Sequence, residues 1–133
     1  MIIFALDTNI ISYLLKNNEV IFARYRKEIR NGNKIIIPPI TYYEIKRGLF
    51  HQKATVKADL FKRFCDEFGV GRMTLDTWDE AARLYAANRR FGRTAEDADL
   101  FIAAFCLAGN YTLVTNNTRH FETIEGLKYT NWI

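Results

Sequence analysis

Asp7, Glu44 and Asp99 are the residues of this chain whose type and spacing best suit chemistry. Asp7 ends the apolar run Ile2-Ile3-Phe4-Ala5-Leu6 in "MIIFALDTNIISYLL", Glu44 lies just past "KIIIPPI", and Asp99 opens the apolar stretch "ADLFIAAFCLAG". A carboxylate beside a buried strand must be solvated, paired or bound to a cation, because desolvating it alone is costly. Acids gathered at one edge repel each other, and a cation removes that cost. Their hard oxygens suit Mg²⁺ or Mn²⁺, octahedral ions that retain several waters, and disfavour zinc or copper. An ion held this way can activate bound water. Thr8 and Asn9 add a hydroxyl and an amide beside Asp7, and Asn116 and Asn117 add carbonyl oxygens directly after "YTLVT".

Each of these residues also has a purely structural use. Asp7 can cap a helix over "TNIISYLL", and Thr41-Tyr42-Tyr43-Glu44 fits a capping box with Glu44 reaching back to the Thr41 amide. Thr94-Ala95-Glu96-Asp97 has a similar N-terminal pattern, so Asp97 reads as a capping or supporting residue. Asn116 and Asn117 suit a turn or a helix start. Asp99 is the hardest to explain structurally, because it shares a helix face with Ile102, Ala103 and Cys106. Taken together, the acids favour a metal site. His51 and His120 are the only histidines, and nothing in the sequence pairs them; His120 reads as a surface or turn residue, which disfavours metal-free acid–base chemistry.

The elements that must position these residues alternate along the chain. A buried strand at 2–6 precedes helical stretches at 9–16 and 20–31, and "KIIIPPI" gives a strand stopped by Pro38 and Pro39. Helical patterns cover 41–50, 54–68, 76–90 and 98–109, the last closed by Gly109 and Asn110. "RMTL" at 72–75 reads as a short strand, "YTLVT" as another, "NNTRHF" as a turn with one helical turn, and "KYTNWI" as the final strand. Continuous apolar strands separated by helices predict an α/β fold, a mostly parallel sheet covered on both faces. Ligands of such sheets bind outside the carboxyl ends of the strands, where Asp7 and the two asparagines fall.

At 133 residues, 49% apolar, the chain is the size of one domain spanning 1–133. No apolar run approaches a membrane span and no leader pattern opens it, so it reads as a soluble cytoplasmic protein. The net charge of +4 suits a polyanionic partner, with clusters at Arg24, Arg26, Lys27, Arg30 and at Arg89, Arg90, Arg93. Cys65 and Cys106 sit in helical apolar stretches without metal-ligand spacing and read as buried free thiols.

The stretches "FALDTNIISYLL", "ITYYEIKRGL", "DADLFIAAFCL" and "LVTNNTRHFETIEGL" resemble, in order, the motifs of PIN-domain ribonucleases, specifically the VapC-type toxins of bacterial toxin–antitoxin pairs. The resemblance implies a three-layer α/β/α fold, Mg²⁺ or Mn²⁺ dependence, RNA as substrate, a homodimer, and a VapB-type antitoxin bound across the active-site groove. It puts the family's acids on Asp7, Glu44 and Asp99. Thr8 is implied to help hold metal or phosphate. The fourth acidic position falls on Asn116 or Asn117, with Asn117 the better match; a neutral amide there removes one charge. "VTNNTR" resembles members acting on tRNA, at the anticodon stem-loop of initiator tRNA. The alternative from another class is a non-catalytic RNA-binding or assembly module with a degenerate PIN site. A receiver-like signalling domain would need a lysine after a late strand, and "YTLVTNN" has none.

Overall fold

Strand β1 (Ile3–Leu6) is apolar throughout because it is covered on both faces and paired on both edges. The structure, a computed structural model, describes residues 1–133. β1 leads into α1 (Thr8–Leu15) and α2 (Glu19–Arg30), then β2 (Lys34–Ile36), α3 (Pro39–Gln52), α4 (Thr55–Phe68), α5 (Leu75–Arg90) and α6 (Asp97–Gly109). β3 (Thr112–Val114), a single 3₁₀ turn at Thr118–His120 and β4 (Lys128–Thr130) complete the chain. All pairings are parallel and the strand order is β2-β1-β3-β4. Ala5 stands opposite Ile36 on one side and Leu113 on the other.

Side-chain alternation along the strands sorts the core into two layers. Phe4, Leu6, Ile35 and Val114 face Ile10, Ile11 and Leu14 of α1, Ile21 of α2, Ile45 and Leu49 of α3, and Phe61 and Phe64 of α4. Ala5 and Leu113 face Leu100, Ala103 and Cys106 of α6, with Phe121, Ile124 and Leu127 closing that side and α5 packed behind α6. The expected α/β/α sandwich is therefore present, each fully buried aliphatic or aromatic side chain contributing roughly 1.5–3 kcal/mol. Cys65 and Cys106 are free thiols. No helix is long and apolar enough to cross a membrane.

Three local expectations are corrected. Residues 72–74 form no strand: only Val70 pairs, in one isolated bridge to Ile37. Ile37 donates to the Gly69 carbonyl at 2.9 Å and accepts from the Gly71 amide at 2.8 Å. The next donor along that edge would be residue 39, a proline without an N–H, so the ladder stops. The last strand covers only 128–130, short of Asn131, Trp132 and Ile133. Helix α3 begins at Pro39, not at 41, because a proline at the first helical position needs no N–H partner. Thr41 is consequently inside the helix, and no capping box forms with Glu44.

Candidate active site

The strand order reverses between β1 and β3, which makes the carboxyl ends of these two strands the natural crevice of the sheet. Asp7 stands there, only 5% exposed, and its amide still donates to the Val114 carbonyl at 2.9 Å. It caps α1, as expected: Oδ1 accepts from the Thr8 amide at 2.8 Å. Oδ2 accepts from the Thr115 hydroxyl at 2.7 Å and from Asn9 Nδ2 at 3.2 Å. Three donors on one carboxylate hold it in a single orientation.

Thr8 joins the next acid to the first. Its hydroxyl donates to Glu44 Oε1 at 2.7 Å, and Arg47 lies 3.6 Å from Glu44 Oε2. Glu44 sits in the second turn of α3, half-buried, and its partners are Thr8 and Arg47 in place of a helix-end amide. Thr41, fully buried, instead ties α3 to the sheet by donating its hydroxyl to the Leu6 carbonyl at 3.0 Å, one residue before Asp7.

Asp99 comes from the first turn of α6, and its Oδ2 lies 3.0 Å from Nδ1 of His120. Burial raises the pKa of the Asp99 carboxyl above the ordinary carboxylate range; the negative charges of Asp7 and Glu96 push the same way, and His120 opposes them by charge and hydrogen bond. Asp7 follows β1, and Asp99 meets His120 of the turn after β3, so both acids lie toward the rim formed by the carboxyl ends of the two central strands. Asp97 is exposed and borders the apolar cavity beside Trp78 and Tyr85, away from that rim. The Thr94 pattern provides no side-chain cap to α6.

Asn117 lies at the end of β3 with its amide donating to Thr115 Oγ1 at 3.0 Å, so Thr115 links it to Asp7. Its side chain is exposed and makes no hydrogen bond within the protein. Asn116 does a different job: its amide donates to Asn9 Oδ1 at 2.9 Å, its side chain donates to Tyr13 at 3.3 Å, and Asn131 donates to it at 3.2 Å. Of the two asparagines, Asn117 is the one free to meet a ligand. Asp7, Glu44 and Asp99 are the residues that could hold a divalent cation, all through hard oxygens. No three His, Cys, Asp or Glu side chains stand close enough to enclose an ion unaided.

Sequence reasoning missed Thr115 and His120. Thr115 carried a signal, a polar residue closing an apolar strand at its carboxyl end. The His120–Asp99 contact spans 21 positions and had none.

This fold and this rim define a PIN domain: the PIN-domain family profile matches residues 4–127, and the chain belongs to that family. It is 31% identical to the tRNA(fMet)-specific endonuclease VapC of Shigella flexneri over 139 residues, covering 99% of each chain, and 27% identical to ribonuclease VapC1 of Haemophilus influenzae, covering 98% of each. VapBC2 from Rickettsia felis, in a crystal structure bound to a DNA fragment from their promoter, contains a chain that superposes with a TM-score of 0.91 at 26% identity, covering 99% of this chain and 100% of that one. Within the PIN family the chain is a ribonuclease toxin of the VapC type.

Proposed function

We propose that the chain is a divalent-metal-dependent endoribonuclease toxin that acts in the cytoplasm on tRNA, initiator tRNA being the first candidate, and is held inactive by a VapB-type antitoxin. The observation that carries this reading is the hydrogen-bonded series Thr115–Asp7–Thr8–Glu44, with Asp99 near enough for its carboxyl to feel Asp7's charge. A partly buried acid whose proton affinity is raised by burial and by a neighbouring acid's charge is stabilised in its ionised form by a cation beside it. Asp7, Glu44 and Asp99 would hold such an ion through hard carboxylate oxygens, the donor type that suits Mg²⁺ and also Mn²⁺. Bound between these acids, such an ion would supply Lewis-acid neutralisation of phosphate charge and a water of lowered pKa.

The chain's own contribution is orientation. Thr115, Asn9 and the Thr8 amide aim Asp7, the Thr8 hydroxyl aims Glu44, and His120 aims Asp99. Water adds to phosphorus in line with the departing 3′-oxygen, the P–O3′ bond breaks, and the 3′-oxygen takes a proton. The products are a 5′-phosphate and a 3′-hydroxyl. On the Glu44 side a groove of about 210 Å³, bordered by Thr8, Ser12, Lys16, Gln52 and Lys57, offers cationic walls to RNA or to an inhibitory segment. The tRNA-specific Shigella relative supports the substrate, and the VapBC complexes of Rickettsia felis and Haemophilus influenzae support the partner. Trp78 and Tyr85, exposed on α5 beside Phe101, support self-association into a homodimer.

The test is to incubate the antitoxin-free protein with bulk tRNA and Mg²⁺ or Mn²⁺, with EDTA and Asp99→Ala controls, and to map new RNA ends. Discrete cuts bearing 5′-phosphates, lost in both controls, are the expected result. Binding of tRNA that ignores both EDTA and Asp99→Ala, without cleavage, would mark a degenerate site that only binds.

A further inference from the structure

Asp99 is also one wall of a second cavity, of about 380 Å³, on the side of the rim away from Glu44. The loop between α5 and α6 supplies Arg93, Thr94 and Glu96, and the 3₁₀ turn after β3 supplies Arg119 and His120. Ala95 is its only apolar lining residue, so it suits a charged, hydrated group better than a stacked base. Three ion pairs occur in the structure, Arg47–Glu44, Arg83–Glu80 and His120–Asp99; neither Arg93 nor Arg119 takes part in one. Arg93 lies 5.3 Å over the ring of Phe91, a contact that holds its guanidinium without using its hydrogen-bond donors on an acid. The first turn of α6 opens beside the cavity with no side-chain cap on its amides, adding partial positive charge.

We infer that this cavity seats a backbone phosphate of the RNA strand adjacent to the scissile one, held by Arg93 and Arg119. The inference rests on the ribonuclease reading above and assigns that site a second contact point. Planar guanidinium forks match phosphate oxygens two at a time, and two of them on separate segments fix a strand's direction as well as its position. Asp99 belongs to both the rim and the cavity, so a phosphate seated here lies beside one of the proposed catalytic acids. The acids lining the cavity are Asp99 and Glu96, set against Arg93, Arg119 and His120.

Cleavage of bulk tRNA in Mg²⁺ by wild type, Arg93→Gln/Arg119→Gln and a control pair, Arg63→Gln/Arg72→Gln, tests the assignment. All four side chains are exposed, and matching melting curves verify that each variant is folded. The cavity pair is expected to lose about tenfold in kcat/KM per arginine, through KM with kcat held within about twofold, consistent with charged hydrogen bonds. The dependence of log(kcat/KM) on log[salt] should also flatten by about 0.7 per lost phosphate contact, while the control pair changes neither quantity comparably. Cavity and control pairs that behave alike, in a wild type that cleaves, would overturn the subsite and leave the ribonuclease reading intact. Wild type that neither cleaves nor binds tRNA would remove both.

Discussion

At the residue scale, the site places its least comfortable charge where it is needed. Asp99's carboxyl has its pKa raised by burial and by Asp7, so in the metal-free protein its ionised form works against folding. A raised folded-state pKa means that stability is fullest below the unfolded carboxylate value and falls as pH rises through the folded one. Asp99→Asn should therefore raise the melting temperature at neutral pH in EDTA, flatten the acid-side pH dependence of stability, and abolish cleavage; melting curves over pH with a tRNA assay check all three. A variant that melts lower at every pH would refute the electrostatic account. Thr115 has the opposite character, a buried hydroxyl that serves both Asp7 and the Asn117 amide. Thr115→Val should cost about 1–3 kcal/mol in urea unfolding by leaving buried polar atoms short of partners. The same change should lower kcat, and Thr115→Ser should recover most of both losses.

At the scale of elements, the helices were legible from apolar periodicity, and their ends were less so. Residues 39–40 gave little helical signal because Pro38 and Pro39 read as a strand stop, yet the second proline starts α3. The strand expected at 72–75 failed because one missing N–H, at Pro39, limits that edge to a single bridge. The same segment is held by packing: a Cβ on Gly71 would come within 2.2 Å of the Phe105 ring, so only glycine lets this chain lie against α6. Gly71→Ala should destabilise by about 1–3 kcal/mol in denaturant titration. Adding Phe105→Leu, which withdraws the ring, should recover part of that loss; a purely additive double variant would show the contact to be unimportant.

At the scale of the whole molecule, the sheet and α6 hold the most continuous burial and should open last. Cys106 is fully buried between them and burial pushes its thiol far up, with Asp7's charge adding to the effect. Cys65, half-buried on α4, is raised more by burial than by Asp66, against Lys46. In a timed reaction with a thiol reagent at pH 8, Cys65 should react slowly and Cys106 only at the rate of global unfolding, accelerating together with loss of secondary structure in urea. Early labelling of Cys106 would show that α6 detaches locally. The α/β class, a first strand ending at Leu6, and the acid and asparagines that follow the strand ends were legible in the sequence, because apolar continuity and polar residues at strand ends are local signals. Only the tertiary structure decided which atoms meet: Thr8 with Glu44 across 36 positions, Thr115 with Asp7 across 108, and His120 with Asp99 across 21. Such partnerships depend on the order β2-β1-β3-β4 and on where each helix starts, quantities set by packing over the entire sheet. No spacing within one segment encodes them, because each hydrogen bond joins groups that only the closed sheet brings within reach.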